Sequence, residues 1–189
     1  MNYLAHIYLS GNNEKLIVGN FIADAVKGNK YLSYETAIQQ GILLHRKIDF
    51  LTDRHPIVHQ TSALFKPVYG KYAGVVCDMV FDHFLAANWN LYHSQNLRLY
   101  VNYINKIFLR HFSILPMKMK IILPFWVKNR WPELYATSEG LRRVLSGMSR
   151  YTSLPLASDA ALEILLANYQ NIESLFKTFF SELQRQLDR

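Results

Sequence analysis

The chain has 189 residues, half of them apolar, which excludes charge-driven disorder and fits one domain with its own core. One cysteine, Cys77, excludes an internal disulfide, and neither a secretion signal nor a run of about 18 apolar residues is present, so we expect a cytoplasmic protein without a membrane span. The formal net charge of +7 favours an anionic partner, such as nucleic acid, anionic lipid or an acidic protein.

Apolar residues recur at helical spacing along nearly the whole chain, and no segment shows the two-residue alternation of a strand. The sequence therefore predicts an all-α, single-domain helical bundle over residues 1–189. The predicted helices cover 2–9, 14–27, 33–52, a fourth that opens at Pro56, 71–92, 96–112, 138–148 and a long last helix capped by Ser158. Residues 116–132 are predicted as mixed helix and coil, because Pro124 and Pro132 interrupt them.

Aspartates are concentrated in apolar helical segments. Five of the seven fall between positions 24 and 82, namely Asp24, Asp49, Asp53, Asp78 and Asp82. Burying an ionised carboxylate without a partner costs several kcal/mol, so such groups are normally paired, hydrogen-bonded or bound to metal. The pattern therefore indicates a polar site inside the bundle.

Helical spacing arranges these acids with histidines. Residues four apart share a helical face, and neighbours lie about 100° apart. Two stripes result, one of His45, Asp49 and Asp53 on the third predicted helix and one of Asp78 and Asp82, with His83 beside them, on the fifth. Stripes on facing helices could converge, and a set of His and Asp ligands suits Mn, Fe, Mg or Zn.

Each of these residues also has an ordinary structural interpretation. His45 and Asp49 could form a simple hydrogen bond, Arg46 could neutralise nearby carboxylates, Asp53 could cap its helix, and His6 could be a packed histidine. Four histidines lack an acid at helical spacing and are predicted to be structural: His55, His59, His93 and His111. The clustering of acids and histidines in the first 83 residues favours a metal site.

Other catalytic motifs are missing. The sequence contains no G-x-G-x-x-G, P-loop, G-x-S-x-G or H-E-x-x-H pattern, which argues against dinucleotide, nucleoside triphosphate, serine-hydrolase and zincin chemistry. Cys77 lies in an apolar run, where formation of a thiolate is disfavoured, so it is predicted to be a core residue.

The middle of the chain is strongly basic, since no acidic residue occurs between Asp82 and Glu133. Its cations are Arg98, Lys106, Arg110, Lys118, Lys120, Lys128 and Arg130. A field of one sign attracts a partner of the other, although a solvated face without a partner would have the same composition.

Five sequence blocks resemble those of the acyl carrier protein phosphodiesterase family. They are MNYLAH, GNFIADAVKG, GILLHRKIDFLTD, CDMVFDHFL and VLSGM, and their order and spacing match from residue 1 to about 148 and more loosely to the end. The resemblance implies a fold similar to that of the HD-domain phosphohydrolases. It also implies a Mn²⁺-dependent hydrolase, with Mg²⁺ or Fe²⁺ as alternatives, that removes 4′-phosphopantetheine from the serine of an acidic carrier protein. Asp82-His83 reverses the order of the HD doublet, and Tyr8 stands where some members carry histidine.

The resemblance also implies roles for the residues named above. The implied metal ligands are Asp24, His45, Asp49, Asp82 and His83, supported by Asp53 and Asp78. Arg46 would bind the phosphate, and His45 or His6 would protonate the serine leaving group. The basic residues would bind the carrier protein, and no nucleic-acid partner is expected. Two alternatives stay open: an HD-like phosphohydrolase acting on a nucleotide or small phosphoester, and a non-catalytic module that binds RNA or anionic membrane.

Overall fold

The computed structural model describes residues 2–188, and within that range it contains eleven α-helices and no strand. The helices are α1 (Tyr3–Tyr8), α2 (Glu14–Ile22), α3 (Thr36–Asp53), α4 (Pro56–Tyr69), α5 (Ala73–Ala87), α6 (Leu97–Arg110), α7 (Met117–Asn129), α8 (Trp131–Leu134), α9 (Ser138–Tyr151), α10 (Ser158–Ala167) and α11 (Tyr169–Leu187). The all-α prediction is confirmed. None of these helices combines the length and the apolar character needed to cross a bilayer.

Helix α2 is shorter than predicted. It ends at Ile22, and the chain continues through two 3-10 turns, Ala23–Ala25 and Gly28–Ser33. Gly28 adopts a φ of 57°, in the left-handed region that glycine enters at little cost. The early end of α2 places Asp24 in a 3-10 turn and not on a regular helical face.

Helix α7 corrects the prediction of mixed helix and coil, because it continues through Pro124 without a break. A proline tends to interrupt a helix, but packing of α7 against the rest of the protein keeps the helix intact. The buried ring of Trp126 lies 5.5 Å from that of Phe21 and 6.2 Å from that of Phe108, measured between centroids. Burial of aromatic side chains of this kind offsets the cost of a proline inside a helix, which is about 3 kcal/mol.

The predicted last helix is divided in two at Asn168, between α10 and α11. Ser158 is the first residue of α10 and not its cap, which is Ala157. The Ser158 hydroxyl instead accepts a hydrogen bond of 2.8 Å from Ser146 on α9. The serine therefore links two helices.

Helices α2 and α3 approach so closely that their backbones touch. A Cβ atom added to Gly41 would lie 2.3 Å from the carbonyl oxygen of Leu16, and one added to Gly19 would lie 2.2 Å from that of Ile38. Real Cβ atoms do not tolerate such distances, so both positions require glycine. This contact fixes the separation between the two helices that carry Asn20 and His45.

Helix α5 runs through the core and packs against α1, α4, α9 and α11. Phe81 lies 5.5 Å from Phe176 and 5.2 Å from Phe179, measured between ring centroids. Cys77 is fully buried, and burial raises the pKa of its thiol. The prediction that Cys77 is a core residue is confirmed.

Candidate metal centre

A cavity of about 230 Å³ lies where α1, α3, α5 and the 3-10 turn after α2 meet. Its lining contains four of the five clustered aspartates and two histidines, and consists of Asn2, Tyr3, His6, Asp24, His45, Asp49, Asp53 and Asp78. The predicted stripe of His45, Asp49 and Asp53 thus faces this cavity along one side of α3. Asp78 comes from α5 and His6 from α1.

Two histidines face one carboxylate at the centre of the cavity. The rings of His6 and His45 stack with centroids 4.0 Å apart, and both Nε2 atoms lie 3.1 Å from Asp49, one from each carboxylate oxygen. One nitrogen or oxygen atom from each of these three residues lies within 4.8 Å of the others. Asp24 is the next acid, with Oδ1 at 3.5 Å from His45 Nε2.

Asn20 fixes the orientation of His45. Its amide nitrogen donates to the carbonyl oxygen of His6 and to Ser10 Oγ, both at 2.9 Å, so its Oδ1 must act as an acceptor. This oxygen lies 2.9 Å from His45 Nδ1, which must therefore carry the proton. In the neutral ring Nε2 then has a lone pair directed at the carboxylates, the arrangement in which a histidine binds a metal.

The charges of the two histidines differ in the absence of metal. Burial lowers the pKa of His45, but hydrogen bonds to Asp24 and Asp49 outweigh it and raise the pKa to about 9. Burial lowers the pKa of His6 to about 4. Burial raises the pKa of Asp49, yet the close approach of both histidine rings brings the pKa well below its usual range. A neutral ring and a cationic ring therefore flank an ionised carboxylate.

The donor set fits a divalent cation. Both ring nitrogens of His6 are buried without a well-oriented hydrogen bond, although Nε2 is close to Asp49. Buried imidazoles normally find a partner, and a cation between His6, His45 and Asp49 would provide one. Two imidazoles with a carboxylate are typical ligands of Mn, Fe and Zn.

A family model described as acyl carrier protein phosphodiesterase matches residues 1–183. The chain belongs to the acyl carrier protein phosphodiesterase family. Proteins of that name from Yersinia pestis and Serratia proteamaculans are 30% and 32% identical to it over 187 residues, which cover 98% of this chain and 97% of theirs. The one from Photorhabdus laumondii is 30% identical over 189 residues, covering 100% of this chain and 96% of its own. No solved structure matches, so the similarity to HD-domain phosphohydrolases stays a prediction.

In this acyl carrier protein phosphodiesterase family member, Asp82 and His83 lie outside the cavity, which corrects the expectation that these two residues are metal ligands, whereas Asp78 of the same stripe does line the cavity. Asp82 is fully buried beneath α1, and its oxygens accept hydrogen bonds from the backbone amides of Leu4 (2.8 Å) and Ala5 (3.2 Å). His83 uses both ring nitrogens, at 2.8 Å from the carbonyl oxygen of Tyr135 and 3.1 Å from the hydroxyl of Tyr169.

The contacts of Asp82 give it a positioning role. Burial raises the pKa of Asp82 to about 7, although the bonds from Leu4 and Ala5 oppose this shift. Because these amides belong to the first turn of α1, the carboxylate holds the N-terminal end of the helix that carries His6. Asp82 thus acts on the cavity through α1.

Arg46 also differs from its predicted role as a phosphate ligand. Its guanidinium donates to the carbonyl oxygens of Val26 (3.0 Å) and Gly28 (2.9 Å) and lies 5.1 Å from the ring centroid of Tyr31. Arg46 does not line the cavity. These two hydrogen bonds connect the segment that follows Asp24 to α3.

The basic stretch is partly neutralised by acids from elsewhere in the sequence. Arg110 lies 2.8 Å from Glu14, and Arg130 forms an ion pair with Glu133. Among residues 2–188, the other cations of the stretch form no ion pair: Arg98, Lys106, Lys118, Lys120 and Lys128. Lys120 instead donates to the carbonyl oxygen of Ser113 at 2.9 Å.

Two of the histidines predicted to be structural have acidic partners that are distant in sequence. His55 Nε2 lies 3.0 Å from Glu182 and His111 Nε2 lies 3.7 Å from Glu14. Sequence reasoning also missed Asn20, which is fully buried on α2. Its position as a polar residue inside the apolar run IVGNFI was the available signal.

Proposed function

We propose that this protein hydrolyses the phosphodiester bond between 4′-phosphopantetheine and the serine of holo acyl carrier protein, and that the reaction depends on a divalent metal. The products would be apo carrier protein and 4′-phosphopantetheine. The cluster of His6, His45 and Asp49 at the cavity carries the proposal, in a chain whose family is named for this phosphodiesterase activity.

His6 and His45 would hold the metal through Nε2, Asp49 through its carboxylate, and Asp24 is placed to assist. When bound, the metal supplies Lewis-acid activation of the phosphoryl group and of a water nucleophile at neutral pH. We propose Mn²⁺, with Mg²⁺ or Fe²⁺ as alternatives, because the set mixes nitrogen and oxygen donors.

The departing serine alkoxide needs a proton, since alkoxides are poor leaving groups. His45 is poorly suited to donate it, because Nδ1–H is bonded to Asn20 and Nε2 would face the metal. His6, with a pKa of about 4, is neutral near pH 7. Asp78 also lines the cavity, and burial raises the pKa of its carboxyl, so we propose Asp78 beside His6 as a candidate for this proton donation.

The decisive experiment is to incubate the Mn²⁺-loaded protein with holo carrier protein and to weigh both products by mass spectrometry. We expect the carrier protein to lose the whole phosphopantetheine group and 4′-phosphopantetheine to appear. Phosphoserine left on the carrier protein would show that another bond is cut. Turnover of a nucleotide panel without turnover of holo carrier protein would favour the small-phosphoester alternative.

Metal affinity should rise with pH. At pH 7.5 the Nε2 of His45 is protonated in the metal-free protein, because its pKa of about 9 lies above that pH. Binding must displace this proton, so affinity should increase about tenfold per unit of pH and level off near pH 9. Calorimetric titration with Mn²⁺ in two buffers of different ionisation enthalpy would count the proton. An affinity independent of pH between about 6.5 and 9 would contradict this assignment.

The unpaired cations of the basic stretch suit an acidic protein substrate. Arg98, Lys106, Lys118 and Lys128 are exposed, and they would accelerate the encounter through long-range attraction. The Debye length is about 10 Å at 0.1 M salt, so this contribution would be strongest in dilute buffer.

A further inference from the structure

The proposed reaction restricts where the carrier protein can dock. The bond that breaks is attached directly to a serine on the carrier protein, so the long pantetheine arm cannot bridge a distance between the two proteins. The surface around that serine must come to the mouth of the cavity. The docking surface is therefore expected beside His45 and Asp49, an inference that rests on the proposed function.

Helix α3 has an exposed apolar and cationic stripe, whose edge at Phe50 lies about 60° round the helix from Asp53, the exposed end of the face that lines the cavity. The stripe consists of Leu43, Lys47, Phe50 and Arg54, which directly follows the helix. At about 100° per residue these four positions fall within roughly 60° of arc, and the stripe runs about 16 Å along the helix. Leu43 and Phe50 are 44% and 54% exposed, which is high for apolar side chains on one helical face.

The stripe combines exposed apolar side chains with cationic side chains that form no ion pair among the described residues. The guanidinium of Arg54 lies 3.7 Å from the ring centroid of Phe50, and neither Lys47 nor Arg54 forms an ion pair among the described residues. A matching partner surface would present carboxylates beside apolar side chains. This chemistry is that of an amphipathic acidic helix.

A segment fastened to α3 carries exposed side chains of the same two kinds, apolar and cationic. The 3-10 turn Gly28–Ser33, which Arg46 fastens to α3, is exposed at Lys30 and at Leu32, whose exposed fraction is 59%. The turn begins four residues after Asp24, which lines the cavity. A docked partner could contact both elements.

A second exposed apolar face lies on α7, a helix that contributes no residue to the cavity lining. It contains Ile121 and Phe125, which are 61% and 59% exposed. The opposite side of α7 packs into the core, where the ring of Trp126 lies 5.3 Å from that of Tyr3. This face therefore serves as the control surface for the docking test.

We propose that the α3 stripe docks an acidic, amphipathic face of the carrier protein and so places the modified serine in the cavity. Phe50 would be the apolar anchor, with Lys47 and Arg54 as its charged partners. Buried aromatic anchors commonly dominate the binding energy of such interfaces.

The test compares two pairs of exposed apolar residues. The variant Leu43→Gln with Phe50→Gln keeps the charge and the helix propensity, and Ile121→Gln with Phe125→Gln makes a similar change on α7. We expect the α3 pair to raise the KM for holo carrier protein about tenfold, which corresponds to about 1.4 kcal/mol, and to weaken calorimetric binding of apo carrier protein similarly. The α7 pair should change both by less than about twofold.

Turnover of bis(4-nitrophenyl) phosphate separates docking from chemistry, because this small diester needs no protein surface. It should be the same in wild type and in both variants. A second α3 variant, Lys47→Gln with Arg54→Gln, should also raise the KM and should flatten its dependence on salt.

Several results would overturn the docking proposal. An unchanged KM in the α3 pair, or an increase in the α7 pair alone, would reject the stripe. Loss of self-association, or of binding to phosphatidylglycerol vesicles, in the α3 pair with carrier-protein kinetics intact would assign the stripe to a second copy or a membrane. If wild type cleaves the small diester but not holo carrier protein, the proposed function itself fails, and the docking proposal fails with it.

Discussion

Replacing Asp49 by asparagine should reduce turnover of holo carrier protein by at least about a hundredfold and should lower the metal content of the purified protein. Asp49 presents one oxygen to each histidine at 3.1 Å, so the substitution removes the charge at the centre of the cluster. Replacing a residue that only supports a metal ligand already lowers metal affinity or activity about 10- to 100-fold. Replacing a direct ligand should lower them further. Metal analysis and steady-state kinetics would measure both effects.

The matched control is Asp53→Asn, the same chemical change four residues further along the same helical face. Asp53 lines the cavity but forms no ion pair with His6 or His45 among the described residues. We expect it to keep its metal and most of its activity. If Asp49→Asn also retained metal and activity, the assignment of His6, His45 and Asp49 as ligands would be wrong.

Replacing Gly41 by alanine should lower the free energy of unfolding by about 3 kcal/mol, because a Cβ atom there meets the carbonyl oxygen of Leu16 at 2.3 Å. A backbone atom cannot move aside as a side chain can, so α2 and α3 must separate. That movement should also weaken the bond between Asn20 and His45. Urea unfolding followed by circular dichroism gives the stability change.

Gly147 provides the control for this prediction. It lies inside α9, and a Cβ added there would meet no atom within 4 Å. Gly147→Ala should therefore stabilise the protein by up to about 1 kcal/mol, since alanine favours the helix. Equal effects at both positions would indicate that the close contact between α2 and α3 does not limit stability.

The sequence predicted the parts of the site that depend on local spacing. His45 and Asp49 are four residues apart on one helix, and they do meet the same cavity. His6 was expected as a proton donor, and its approach to Asp49 depends on the packing of α1, which has no signal in the local pattern. The continuous helix α7 was not predicted for a similar reason. Pro124 is visible in the sequence as a helix breaker, whereas the packing of Trp126 that opposes it depends on residues distant in sequence.

Asp82 shows the limit of the argument from buried charge. A carboxylate inside an apolar helix needs a partner, but the rule does not say whether the partner is a metal or a backbone amide. Its partners are the amides of Leu4 and Ala5, separated from it by 78 and 77 positions. The spacing along α5 could not show whether an aspartate binds metal or backbone amides. Asp78, on the same helical face as Asp82, does line the cavity.

The six residues of α1 are too few to form a stable helix in isolation, so His6 depends on tertiary contacts for its position. His45 and Asp49, in contrast, share an 18-residue helix. A metal bound to all three would join two distant parts of the chain and act as a cross-link that closes the intervening loop. Chelation should therefore increase amide hydrogen exchange in α1 before it affects α3.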